Sequence, residues 1–227
     1  MGFKSESALK ETAAPIVKRK LARDEAEVVE EFSYSAGRTD LVFTYKSDAY
    51  LRRRVEELGV GIPIREKSNL KAFLRLHKRG EITEEYFCQL GANSRRDNKK
   101  ALEWLLNNGF AERTAKDKVR TVPYLRRHIT TAIAVELKLK KWRDAYQQAL
   151  RGRSFSEYQY VVLDANHVSP ALDNMEMFEQ QGIGLASVDT DGTFVKHHSP
   201  DKQRPFSELN TWRLNEKTLQ RSDETEV

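Results

Sequence analysis

Apolar and polar positions along the 227-residue chain follow two different rhythms, and the rhythms divide it. Residues 26–34 and 39–45 are short runs rich in Val, Phe, Tyr and Thr, which predicts two strands. Ser35-Ala36-Gly37 between them is turn chemistry, so the pair predicts a hairpin. Residues 133–139 and 158–163 predict two further, largely buried strands. Residues 184–189 and 193–197 predict a last hairpin turning through Asp191-Gly192. Helical spacing marks residues 5–22, with Pro15 as a possible kink, and residues 47–58, 142–151 and 170–181.

The middle of the chain reads differently. Residues 59–63, Gly-Val-Gly-Ile-Pro, break the pattern, and three helical segments follow at about 69–78, 83–90 and 95–107. Thr83 and Ser94 are the expected caps of the second and third, the latter with Asp97 three residues on. Ala101, Leu102, Leu105 and Leu106 form the apolar stripe of the third helix, and Asn108-Gly109 stops it. Residues 110–124 then read as a hairpin. Three helices followed by a hairpin is the winged-helix pattern. The tail from about Asn215 is polar and expected to fray.

One run breaks its own rhythm. Ile133-Ala134-Val135-Glu136-Leu137-Lys138-Leu139 is a strand by content, yet Glu136 and Lys138 share one of its faces. Charges on the face of a buried strand must be paired or must open on a cleft, because burying them alone is very costly. The plainer alternative is a surface ion pair on a half-exposed strand, contributing roughly 0–1 kcal/mol.

Composition narrows the setting. Hydrophobic residues make up 39% and charged residues 32%, enough for a core in a polar protein of one large or two small domains, and the formal charge is +5. From Ala92 to Arg127 the chain carries ten Lys/Arg against four Asp/Glu, so the basic excess is concentrated there. Cys88 is the one cysteine, which excludes an intrachain disulfide and suits a reducing compartment. The N-terminus has no apolar core of signal-peptide length and no run approaches a membrane span, so a cytoplasmic protein without a membrane partner is expected.

With the central segment set aside, the order is helix, strand, strand carrying Asp40, strand carrying Glu136 and Lys138, helix, strand. Asp40 in Gly37-Arg38-Thr39-Asp40-Leu41-Val42-Phe43 and the acid-x-lysine Glu136-Leu137-Lys138 resemble the motif of the PD-(D/E)XK nuclease superfamily. The resemblance spans about residues 5–45 and 128–198. It implies an α/β, restriction-endonuclease-like mixed central sheet flanked by helices, with an inserted winged helix-turn-helix domain. The implied division is a first nuclease part at 1–64, the insert at 65–125, a second nuclease part at 126–212 and a polar tail at 213–227.

The activity implied is metal-dependent hydrolysis of DNA phosphodiesters. Asp40, Glu136 and the backbone carbonyl of Leu137 would hold Mg²⁺ or Mn²⁺, which takes oxygen ligands, and Lys138 would orient the attacking water. Many members of the superfamily add a glutamine and, four residues on, a tyrosine. Gln148 fits the first, but Gly152 stands in the second place, with Tyr146 as a possible substitute. A first-helix glutamate is also common, and Glu6 or Glu11 fits it. Many such nucleases dimerise to cut two strands, so a homodimer is a possible assembly.

In the insert, Arg95 and Asn98 at the start of the third helix could reach base edges, while Arg96, Lys99 and Lys100 suit phosphates. The rival readings are a DNA-binding regulatory protein with a degenerate nuclease core, and a subunit docking a larger enzyme through the winged segment. His77, His128, His197, His198, Cys88, Trp104 and Trp142 are expected to be structural. Asp164, Asp189 and Asp191 are expected to serve turns.

Overall fold

The computed structural model describes residues 2–224. In chain order the elements are α1 (Glu6–Leu21), β1 (Glu27–Tyr34), β2 (Gly37–Lys46), α2 (Asp48–Arg52) running on into a π-helical turn (Arg53–Glu57), α3 (Lys67–Arg79), β3 (Ile82–Thr83), α4 (Glu84–Gln89), α5 (Arg95–Asn107), β4 (Ala111–Ala115) and β5 (Lys118–Thr121). They continue with β6 (Ile129–Lys138), α6 (Trp142–Gly152), β7 (Tyr158–Asp164), a 3-10 turn (Ala165–His167), α7 (Ser169–Leu172), α8 (Met175–Gln181), β8 (Gly184–Val188), β9 (Phe194–His198) and α9 (Glu208–Glu224). They form two compact units, residues 1–46 with 129–211, and residues 47–128 with 212–227.

The first unit is α/β. Its six-stranded sheet has the order β1-β2-β6-β7-β8-β9, with β6, β7 and β8 mutually parallel and the remaining neighbours antiparallel. The mixed character follows from the connections. Tight turns join β1 to β2 and β8 to β9, whereas α6 carries the chain from β6 to its parallel neighbour β7. On one face, Leu9, Ala13 and Val17 of α1 pack on Leu41, Phe43, Val135, Leu137 and Val162. On the other, Trp142, Ala145 and Ala149 of α6 pack with Val161, Leu163, Phe178 and Leu185. Burying a side chain of this size contributes roughly 1.5–3 kcal/mol, so these two layers hold the sheet between them.

Alternation along β6 sends Val135 and Leu137 to the α1 face and Ala134, Glu136 and Lys138 to the α6 face. Here α6 comes in close. A Cβ on Gly152 would lie 3.5 Å from the Ala134 Cβ and 3.4 Å from Gln159 Cγ.

The second unit packs α3, α4 and α5 against a three-stranded sheet of order β3-β5-β4. Ser94 caps α5 by accepting from the Asp97 N–H at 3.1 Å, and Thr83 caps α4. Leu70 and Phe73 of α3 and Leu102 and Leu105 of α5 are buried, and Phe73 stacks edge-on against Trp212 of α9 at 4.8 Å.

Several boundaries differ from those the pattern predicts. Residues 47–64 join the second unit rather than the sheet. The segment 170–181 is broken at Asp173-Asn174 into α7 and α8. The largest difference is the tail. Residues 213–224, expected to be polar and frayed, are helical, and Leu214, Asn215, Glu216, Thr218 and Leu219 are buried; residues 225–227 lie outside the described residues. Among the described residues, no helix is long and apolar enough to cross a membrane.

Candidate active site

Asp40 and Glu136 meet where the β2–β6 ladder ends. Pairing runs from Lys46↔Ile129 to Leu41↔Val135 and then stops. The next inward N–H, that of Leu137, donates to Asp40 Oδ2 at 2.9 Å instead of to a strand carbonyl. A strand residue projects its N–H and C=O to the same side, so the Leu137 carbonyl also faces the Asp40 side. The sequence thus places a carboxylate, a backbone carbonyl and the neighbouring Glu136 at one break in the sheet.

Glu136 is 1% exposed. Neither of its oxygens makes a well-formed hydrogen bond, although the Thr39 hydroxyl stands near enough to favour its charged form. Burial raises its pKa to about 8, and the Asp40 charge adds to the rise. The Thr39 hydroxyl, Lys138 and Arg151 pull in the opposite direction without cancelling it. Around it lie other polar atoms in the same condition. Tyr34 Oη, Thr39 Oγ1 and Gln148 Oε1 are buried and unpartnered. Tyr34 is likewise pushed up, first by burial and then by the Glu136 charge. Native interiors leave few polar atoms unmatched, and several of the unmatched ones here lie on the strands and helix that carry Glu136 and its cleft.

A cleft of about 540 Å³ opens beside this group, lined by Glu6, Lys138, Lys141, Asp144, Gln147, Gln148 and Arg151. Lys138 Nζ stands 3.5 Å from Glu6 Oε2. Its charge also reaches Glu31, whose pKa is lowered chiefly by a hydrogen bond from Lys10. Arg151 ties the cleft to the acids, since it lines the one and its field acts on both Glu136 and Tyr34.

The structure brings Asp40, Glu136, Leu137, Lys138 and Gln148 into one region. Glu6 rather than Glu11 faces Lys138; Glu11 accepts from Ser7 on its own helix. Tyr146 is not a substitute for the missing tyrosine, because its hydroxyl donates to the Met177 carbonyl at 3.1 Å within the α6–α8 core. Gly152 is buried at the end of α6, where a Cβ would make only ordinary contacts with Ala134 and Gln159. Sequence reasoning missed Tyr34, Thr39 and Arg151. The signal for the first two was their position on either side of the Ser35–Gly37 turn, next to Asp40.

No group of three His, Cys, Asp or Glu side chains able to hold a metal ion is present among the described residues. The donor set offered by Asp40, Glu136 and the Leu137 carbonyl is two carboxylates and a carbonyl. It fits a hard divalent cation, which accepts few protein oxygens and keeps waters, and the unpartnered Glu136 oxygens are ready to serve it.

On α5 the side chains separate. Asn98 is fully buried, and its amide nitrogen donates to the Cys88 carbonyl at 3.0 Å and the Leu90 carbonyl at 2.9 Å, while its oxygen accepts from Arg75 at 2.9 Å. It is a staple between α3, α4 and α5 and has no donor left for a base edge, which corrects the expectation drawn from its place in a basic run. Arg95 is exposed and pairs with Glu85 at 3.3 Å. Arg96, Lys99 and Lys100 are exposed.

The residues set aside behave as expected. His128 is buried against Thr218 at 3.0 Å, and His77 stacks on Phe73. His197 meets Ser187 Oγ at 2.9 Å, and Asp164 caps the 3-10 turn at Asn166.

Comparison with known protein families, with curated proteins and with solved structures found no match.

Proposed function

We propose that this protein is a metal-dependent nuclease of the restriction-endonuclease-like kind that hydrolyses DNA phosphodiesters, and that its second unit is a winged helix engaging the DNA. The observation carrying the reading is Glu136, a buried carboxylate with both oxygens unpartnered and Asp40 beside it. A fold gains nothing from such a pair unless a cation joins it.

Asp40, Glu136 and the Leu137 carbonyl would hold Mg²⁺ or Mn²⁺. The ion supplies charge neutralisation at the phosphate and a more acidic bound water. Lys138, held at the mouth of the cleft by Glu6, orients the attacking water and counters the charge that builds on the phosphate oxygens. Gln148 offers its amide to the same water or to a phosphate oxygen. Arg151 and Lys141 give the cleft the positive wall a phosphodiester needs.

The test is cleavage of linear duplex, single strand, fork and four-way junction with Mg²⁺ or Mn²⁺, comparing wild type with Asp40→Asn, Glu136→Gln and Lys138→Ala. Each variant should lose at least about a hundredfold in rate. Wild type inert on every substrate, or variants as active as wild type, would refute the reading.

A further inference from the structure

Four cations around the basic stretch of the second unit are held in ion pairs. Arg113 pairs with Glu84 at 2.7 Å, Lys118 with Glu81 at 3.1 Å, Arg120 with Glu112 at 2.7 Å and Arg95 with Glu85 at 3.3 Å. Three of those acids, Glu81, Glu84 and Glu85, precede the basic stretch in sequence, so the local excess read from residues 92–127 is partly neutralised by the fold. Three cations of the β4–β5 hairpin, Arg113, Lys118 and Arg120, are thus answered, two of them by acids outside it, while Lys116 in its turn is exposed.

Arg96, Lys99 and Lys100 are the contrast. They stand at i, i+3 and i+4 on α5, which puts them on one face of the helix. All are exposed, and none makes an ion pair with a described residue. Glu103, one turn further on, closes the row without pairing with either lysine. The amide that could have read bases from this helix, Asn98, points inward and is spent on Cys88, Leu90 and Arg75.

We propose that Arg96, Lys99 and Lys100 form a ridge that grips the phosphate backbone of duplex DNA without reading its sequence. The proposal rests on the reading of the second unit as a DNA-binding module and adds its mode of recognition. Three point charges on one helical face match phosphates along a groove edge. Sequence discrimination rests on contacts to base edges; Asn98 has no amide hydrogen left for one and Arg95 is engaged with Glu85, so Arg96 is the one potential reader among these three, and the proposal assigns it to phosphate.

The test is binding of short duplexes by the full chain in EDTA, which removes the metal and so keeps cleavage out of the measurement. Affinity is read across a series of salt concentrations. Three phosphate contacts give a log–log salt slope of about −2.7. In the triple variant Arg96→Gln/Lys99→Gln/Lys100→Gln the slope should shrink towards zero. In Arg95→Gln it should stay as in wild type, because that guanidinium is already paired. Unrelated duplexes should compete within about threefold of one another. Asn98→Ala should lower the melting temperature without changing relative preference among duplexes. A wild-type slope retained by the triple variant overturns the ridge. Competition differing by more than about tenfold between sequences overturns the backbone-only mode while leaving DNA binding intact. No duplex binding at all overturns both the ridge and the DNA-binding reading of this unit, and capture by phosphatidylserine vesicles in its place identifies the ridge as a membrane patch.

Discussion

Among the described residues two glutamates are buried, one in each unit, and their surroundings are opposite. Glu216 is 3% exposed and fully answered. Arg54 donates to it through both terminal nitrogens, at 2.6 and 2.7 Å, the Ile64 N–H donates at 2.8 Å, and the Asn215 amide at 3.1 Å. Arg54 also donates to the Val60 and Ile62 carbonyls and lies over the Phe110 ring. Glu136 is at least as buried, and only the Thr39 hydroxyl approaches it, without forming a well-aligned hydrogen bond. The chain therefore satisfies a buried carboxylate where it serves as a joint. On the reading proposed above, the unanswered one would be kept for a ligand at a cost in stability.

The largest expected effect attacks the satisfied side. Arg54→Ala leaves Glu216 buried and without its cation, which should cost about 3–5 kcal/mol. Urea unfolding of the full chain measures it, and a loss below about 1 kcal/mol would mean the pair is not the joint described. Replacing both partners with apolar residues of similar volume should recover most of the loss, since the penalty comes from the orphaned charge.

The second prediction attacks the unsatisfied side, and its sign is opposite. Folded Glu136 keeps its proton up to about pH 8, whereas the unfolded chain releases it near 4.5. The folded state thus binds more protons across that window, so wild-type stability falls as pH rises through it and is fully penalised above about 8. Glu136→Gln does not titrate. It should match wild type near about pH 5 and exceed it by about 2 kcal/mol near about pH 9, below a ceiling of roughly 5 kcal/mol for a shift of this size. Added Mg²⁺ should narrow the gap at high pH by stabilising wild type alone, by about 1.4 kcal/mol at ten times the dissociation constant. A variant no more stable than wild type at high pH would remove the contrast between the two glutamates.

The same contrast explains what the sequence could and could not reveal. Glu136 was legible because it interrupts an apolar strand, and interruption of a local period is visible without a structure. Glu216 was not. Trp212, Leu214 and Leu219 are scattered among Asn215, Glu216 and Thr218, and those polar residues are buried only because partners far away in the chain, Arg54, Ile64 and His128, answer them. A polar tail and a polar but satisfied helix look alike when the partners lie 87 to 162 residues away. Asn98 failed for the same reason. Its neighbours in sequence are basic, while two of its three partners are carbonyls on the preceding helix and the third is Arg75 on α3. The strands around Asp40 were read to within two residues, because short apolar runs bounded by turn residues carry their own register, whereas β6 was read from 133 although it begins at Ile129.

The smallest effect on stability, and the sharpest on chemistry, is expected at Tyr34. Its hydroxyl is buried, lies in the field of Glu136, and makes no well-formed hydrogen bond, although Thr39 and Arg151 stand near it. Removing a satisfied buried hydroxyl usually destabilises by about 1 kcal/mol, whereas removing an orphaned one should be neutral within about 0.5 kcal/mol. Tyr34→Phe should therefore unfold as wild type does in urea. If the hydroxyl serves the reacting groups instead of the core, the same variant should cut DNA about tenfold more slowly at saturating metal and shift the metal dependence to higher concentration. Loss of stability without loss of rate would assign Tyr34 to the Phe32–Phe155 aromatic packing around it, and the unpartnered cluster about Glu136 would then be one member smaller.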